Sequence, residues 1–142
     1  MLIRGIRNKN PLNIEKGSKW VGLVEPGQDN RFCEFEDFYY GYRAAFKILL
    51  GAYRERGWNT ISSIIEHWAP MSENNVTNYI RAVCNSTGFK FDKVLHRYDY
   101  VAVVLAMAKV ECGSIPSISD CLRAGYEQCA EITIVSHLLK NS

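Results

Sequence analysis

The segment Tyr100–Ala108 is apolar on every face, and this feature constrains the fold of the chain more than any other. A helix that borders solvent keeps a polar stripe on that side, so a helix that is apolar all round lies inside the protein. The segment is too short to cross a bilayer, which takes about 20 apolar residues. We therefore predict a helix that is capped by Asp99, runs through the centre of a helical bundle and delivers Glu111 to its C-terminal end.

Further helices are predicted on both sides of this central segment. Apolar residues recur there at steps of three and four, which places them on one face of a helix. The predicted ranges are 40–57, 59–69, 72–88 and, as one or two helices, 118–140. Gly57 ends the first range, and the second stops before Pro70 because the residue ahead of a proline avoids the helical region. Tyr79 lies on the apolar stripe of the third.

The first 38 residues contain many asparagines, glycines and prolines, which favour turns over a long helix. We read this region as loops plus a short hairpin with strands Lys19–Val24 and Arg31–Glu36. The predicted fold is therefore mainly α, in the α+β sense of a helical body with a small N-terminal β-hairpin. A chain of 142 residues fits one domain, 1–142, with a loop and hairpin region at 1–38 and a helical bundle at 39–142.

Charge and hydropathy argue against nucleic acids and membranes as partners. The 17 basic and 15 acidic residues are mixed along the chain, without the block of one sign that marks a nucleic-acid or membrane arm. The N-terminus has no apolar segment of signal-peptide length, so the chain is expected to be made in the cytoplasm and to have no membrane span. No phosphate-binding glycine loop, zinc signature or catalytic Ser-His-Asp order is present, and we expect neither a cofactor nor a metal.

Five cysteines sit among core-type residues at no standard metal spacing: Cys33, Cys84, Cys112, Cys121 and Cys129. Buried free thiols are the simplest interpretation. A disulfide, or a zinc site built from the last three cysteines and His137, is the alternative.

Glu111 is the residue best suited to catalysis. Partial burial and the negative end of the helix dipole both oppose its ionisation and should raise its pKa. A carboxylic acid that stays protonated near neutral pH is what a glycosidase uses to protonate the leaving sugar oxygen. The alternative is that Glu111 simply marks where the helix emerges into water.

Several segments resemble small phage and prophage proteins that are described as virion structural proteins. They are RNKNPLNI (7–14), KWVGL (19–23), RFCEFEDFYYGYRA (31–44), GWNTISSIIEHWAP (57–70) and ENNVTNYIRAVCNSTG (73–88). The order and spacing of these segments cover over half of the chain. The resemblance implies a phage or prophage origin.

The same order of features resembles the flagellar-type glucosaminidases of the lysozyme superfamily. In those enzymes an apolar helix ending in Glu-Ser-Gly precedes an asparagine loop. Here the matching segment, LAMAKVECG (105–113), follows the asparagine loop. The chain would therefore be a circularly permuted version, with Cys112 in place of the serine. The resemblance implies that Glu111 is the general acid and that Glu34, Glu36 or Glu73 positions a water. The implied substrate-binding residues are Asn8, Asn10, Asn13, Trp20, Tyr39, Tyr40, Glu73 and Tyr79. For the asparagines a turn-forming role, and for the aromatic residues a core role, remains the alternative.

Two functions follow from these patterns. The first is a peptidoglycan glycan-strand hydrolase, either a lysozyme or a lytic transglycosylase, acting in the phage virion or at the bacterial periplasm and cell wall. Its partners would be glycan strands, with other phage or secretion-machine components in addition. The second is a non-catalytic virion or prophage structural or interaction protein.

Overall fold

A computed structural model describes residues 2–69 and 75–140, and for residues 132–137 and 140 it describes the backbone alone. Helices dominate these residues. In chain order they are α1 (Arg4–Arg7), α2 (Phe38–Ile48) with its π-helical continuation Leu49–Tyr53, α3 (Ile61–Trp68), α4 (Val76–Thr87), α5 (Asp99–Cys112) and α6 (Ile118–Lys140). The mainly helical fold class predicted from the sequence is confirmed.

Helix α5 is the centre of the bundle, as its apolar composition predicted. It contacts α1, α2, α4 and α6, and eight of its residues are buried. Its first residue differs from the prediction: Tyr98 occupies the N-cap position, and Asp99 is already helical. The Asp99 carboxylate instead accepts hydrogen bonds from the His96 backbone N–H (2.9 Å) and from Lys93 Nζ (2.6 Å), so it closes the turn that leads into the helix.

The amphipathic helices lie where their periodicity placed them. Thr60 caps α3 in a reciprocal pair with Ser63, which satisfies two backbone N–H groups that the first helical turn leaves free. Helix α4 ends at Gly88, whose φ of 76° is the left-handed conformation that a glycine adopts without steric penalty. The predicted start of this helix at Ser72 lies outside the described residues. Residues 118–140 form one helix rather than two.

The predicted hairpin is wrong in its details. Among the described residues of this region, the extended pairing is limited to two isolated antiparallel bridges, Glu15 with Phe32 and Leu23 with Phe35. Residues 31–36 pair on one side with residues 14–16 and on the other with 22–24, and Phe35 donates its N–H to the Asn8 carbonyl (2.9 Å). Because the partner changes every few residues, no continuous ladder develops. The short helix α1 was also not predicted.

The five cysteines form no disulfide bond with one another, and all except Cys84 are buried. Burial raises the pKa of Cys112 to about 11 and that of Cys121 to about 12. Within residues 2–69 and 75–140, no group of three or more metal-ligating side chains is close enough to hold an ion. The side chain of His137, which belonged to the alternative zinc site, is outside the description. The described helices include none with the length and apolarity needed to cross a membrane.

Candidate functional site

Glu111 lies in the last turn of α5, where two side chains from distant parts of the chain hold its carboxyl group. Asn13 donates from Nδ2 to Oε1 (3.1 Å), and the Tyr79 hydroxyl donates to Oε2 (3.0 Å). Asn13 comes from the N-terminal loop and Tyr79 from α4. The fold therefore brings three predicted site residues together, with Asn13 and Tyr79 on either side of the Glu111 carboxyl group.

The pKa of Glu111 is raised, as expected from the sequence. Burial is the largest cause, because it disfavours the charged form. The hydrogen bonds from Asn13 and Tyr79 and the positive charge of Arg4 act in the opposite direction and lower it. The pKa of Tyr79 is raised well above its usual value by burial and by the neighbouring Glu111, so its hydroxyl stays neutral. The site thus contains a carboxyl group biased towards protonation beside a neutral hydroxyl.

The asparagines of the N-terminal loop have different roles. Asn10 makes three hydrogen bonds of 2.9 Å, from Nδ2 to the carbonyls of Ile14 and Cys33 and from the Ile14 N–H to its Oδ1. Asn8 donates to Asp29 Oδ2 (3.2 Å). Both residues are completely buried, and their hydrogen bonds fix the loop. Their role in substrate binding stays a prediction.

Asn13 is the asparagine that reaches Glu111, and it has an unusual backbone. Its φ is 53°, in the left-handed region that asparagine tolerates better than most residues. Its Oδ1 atom is buried and makes no hydrogen bond to the described residues. The residue is therefore held in place although its own hydrogen-bonding capacity is not fully used.

Three of the four aromatic residues predicted to stack on sugars have other contacts. Tyr79 is 1% exposed, and its ring packs in the core. Tyr39 hydrogen-bonds to Glu127, and the Arg123 guanidinium lies 3.9 Å above its ring. Tyr40 lies directly under Gly22, where an added Cβ atom would be 2.1 Å from the ring, so this close approach requires glycine. Trp20 differs, because it lines a cavity.

Two cavities open beside the loop of residues 16–18. The first, of about 630 Å³, has Glu34 on its wall; the second, of about 420 Å³, is lined by Asn13, Trp20 and aromatic residues of α3 and the π-helical segment. The described lining of neither cavity includes Glu111. Glu36 is exposed, and Glu73 lies outside the described residues.

Close packing of α1 against the end of α5 supports the site, and no pattern in the sequence indicated this packing. A Cβ atom added to Gly5 would lie 2.7 Å from Cys112 Sγ and 3.1 Å from the Asn10 carbonyl oxygen. Cys112 Sγ in turn donates to the Pro11 carbonyl (3.3 Å). Glycine at position 5 thus allows the asparagine loop to reach the residue next to Glu111. The same short helix carries Arg4, whose charge acts on the acid.

Comparison with known proteins places the chain in a phage setting. It is 41% identical over 128 residues to Protein P5 of Pseudoalteromonas phage PM2, an alignment that covers 87% of this chain and 80% of that protein. No family model matches the chain. The relationship confirms the phage part of the resemblance, whereas the likeness to lysozymes stays a prediction. The chain belongs to the family of phage proteins that includes Protein P5 of phage PM2.

Proposed function

We propose that this chain is a component of a phage particle and that Glu111 gives it the ability to cleave peptidoglycan glycan strands. Membership of a phage protein family supports the setting. The observation that carries the chemistry is the Glu111 carboxyl group, which is largely buried, has a raised pKa and is fixed by Asn13 and Tyr79. The lysozyme-like, permuted relationship belongs to this proposal.

In the proposed reaction Glu111 is the general acid. Its proton passes to the glycosidic oxygen as the bond to the anomeric carbon breaks, and the carboxylate that remains accepts the hydrogen bonds from Asn13 and Tyr79. In hydrolysis, a water molecule then adds to the anomeric carbon, and the proton that it gives up restores the Glu111 acid. Those bonds strengthen when the acid becomes charged, because hydrogen bonds to an ionised acceptor are about twice as strong as neutral ones. The two neighbours thus stabilise the product state of the proton transfer without supplying a proton of their own.

A second candidate is a non-catalytic virion component. It fits the phage relationship at least as directly, because that relationship carries no information on chemistry. It is favoured by the position of Glu111, which is absent from the described walls of both cavities. In this case the bonds of Asn13 and Tyr79 to Glu111 would serve only to join the N-terminal loop and α4 to the end of α5.

The two candidates differ in one measurement. Purified protein is incubated with peptidoglycan from several bacterial types, and the released muropeptides are analysed by mass. The parent should release fragments and Glu111→Gln should lose on the order of 10²–10⁴-fold in rate, since the amide keeps the shape but has no proton to donate. Glu66→Gln, at an exposed position of α3, is the matched control and should retain the parent rate.

Each other result has a definite meaning. If Glu34→Gln or Glu36→Gln is inactive while Glu111→Gln cleaves normally, the acid is misassigned. If the parent releases nothing from any peptidoglycan, the structural candidate is the better one.

A further inference from the structure

The second cavity is joined to the Glu111 site by a single residue. Asn13 lies on the cavity wall and donates to Glu111 Oε1 at 3.1 Å. A molecule in the cavity would therefore be separated from the acid by one side chain. The volume of about 420 Å³ is within the range of small-molecule sites.

Three aromatic residues line the cavity, and contacts with their surroundings hold two of them in place. Trp20, Tyr53 and Trp68 all line it. Trp68 donates from Nε1 to the Leu12 carbonyl (3.1 Å), and the Tyr53 and Trp68 rings meet edge to face with centroids 5.8 Å apart. Rings with restricted motion bind a flat, partly apolar ligand with little loss of conformational entropy. A sugar ring, with C–H groups on its faces and hydroxyls at its rim, is such a ligand.

The helix beside the cavity departs from regular geometry at this position. The π-helical segment Leu49–Tyr53 interrupts the long helix that starts at Phe38, and its residues Ala52 and Tyr53 both line the cavity. A π-helical turn gives up regular hydrogen bonding to redirect side chains, and such turns occur frequently at functional sites. The π-helical geometry is therefore evidence for a site that is independent of the aromatic composition of the cavity.

The charged residues on the cavity wall favour an anion. Lys16 and Lys47 line it together with one carboxylate, Glu15, and that carboxylate is paired with Arg31 outside the cavity. Lys47 is 3.4 Å from Glu131, a partly exposed pair of the kind that contributes little and that a ligand carboxylate can replace. The described wall therefore carries two cations, Lys16 and the Glu131-paired Lys47, and one carboxylate, which is paired with Arg31.

We propose that this cavity binds an acetamido sugar that carries a carboxylate substituent or an acidic peptide, as the muramyl unit of peptidoglycan does. The aromatic rings would contact the sugar, and Lys16 and Lys47 the acidic group. The inference rests on the proposed function for the type of glycan, and it adds a preference for muramyl units over neutral acetamido sugars.

The test measures binding without cleavage. All variants are made in the Glu111→Gln background, and binding is followed by tryptophan fluorescence or calorimetry. The first probe is the muramyl probe, a disaccharide of N-acetylglucosamine and N-acetylmuramyl tripeptide. The second probe is a neutral chitotetraose. We expect the muramyl probe to bind at least about tenfold more tightly, since one charge-assisted contact is worth that much or more. The double variant Lys16→Gln/Lys47→Gln should lose this preference and keep the neutral binding.

Two more variants separate specific from general effects. Trp20→Ala should weaken both probes, whereas Lys109→Gln, at an exposed position of α5, should change neither. Equal affinity for the two probes, or a preference that survives the double lysine variant, would overturn the inference. If the parent cleaves peptidoglycan but the cavity variants bind both probes as tightly as the unsubstituted cavity does, this inference is refuted and the proposed hydrolase is not. Binding of the muramyl probe by a parent that cleaves nothing would refute the proposed hydrolase and leave the binding site in place.

Discussion

Replacing Tyr79 with phenylalanine removes one hydroxyl from the Glu111 site and leaves the buried ring in place. The hydroxyl donates to Glu111 Oε2 at 3.0 Å, and this bond lowers the pKa of the acid. A hydrogen bond to a charged group is worth about 1.5–3 kcal/mol, and one pKa unit corresponds to about 1.4 kcal/mol. Because this bond stabilises the charged form, Tyr79→Phe should raise the pKa of Glu111 further.

The assay is an NMR titration of the glutamate side-chain carboxyl carbons, with the Glu111 signal assigned from its loss in Glu111→Gln. Tyr100→Phe is the matched control, because Tyr100 is equally buried and its hydroxyl has no partner among the described residues. It should leave the pKa of Glu111 unchanged. If the pKa of Glu111 is the same in Tyr79→Phe as in the parent, the acid is not held as described. If the protein cleaves glycans, the alkaline limb of its pH profile should move up by the same amount.

The remaining predictions concern the packing around the site. The pKa of Asp29 is lowered to about 2, chiefly by the Phe32 backbone N–H. The stability that Asp29 provides is therefore present above its ordinary pKa of 3.8 and is lost as the pH falls towards 2. Asp29→Asn should therefore flatten the dependence of the unfolding free energy on pH in that window, as measured by denaturant titration. An unchanged dependence on pH would contradict this prediction. Gly5→Ala should destabilise the protein by about 1–3 kcal/mol through its clash with Cys112 Sγ. In the double variant Gly5→Ala/Cys112→Ala the loss of stability should be smaller than the sum of the two single losses, because the smaller side chain at position 112 makes room for the added methyl group. Strict additivity of the two losses would show that the clash is relieved elsewhere.

The features that the sequence predicted well are the local ones. The all-round apolarity of Tyr100–Ala108 identified the central helix, and the three-and-four spacing identified its neighbours, because both patterns depend on residues within a few turns of each other. Tyr79 shows the limit of this reasoning. Its place on the apolar stripe of α4 already indicated burial, and a buried ring does not stack on a sugar.

The contacts that define the site are separated by long stretches of chain. Asn13 and Glu111 are 98 positions apart, and Tyr79 and Glu111 are 32 apart. Patterns of periodicity do not reveal which distant residues meet. The close approach at Gly5 and the charge of Arg4 also depend on α1, which is too short for its periodicity to be visible. The composition of the loop indicated turns, and the same asparagines are consistent with a binding loop.

Asn10 and Asn13 should give opposite results when substituted, and this contrast tests whether the loop contains a site rather than only a turn. Asn10 has no exposed surface and makes three buried hydrogen bonds, so Asn10→Ala should lose about 3 kcal/mol of unfolding free energy.

Asn13 has a φ of 53° and a buried Oδ1 atom that makes no hydrogen bond to the described residues, and both features oppose folding. Asn13→Gly removes both, so its stability should stay within about 1 kcal/mol of the parent or rise. The same change deletes the donor to Glu111 and should raise the pKa of that acid. If Asn13→Gly instead destabilises the protein as much as Asn10→Ala does, Asn13 is a structural residue like its neighbour. Its contact with Glu111 would then be a consequence of packing rather than the reason for its conformation.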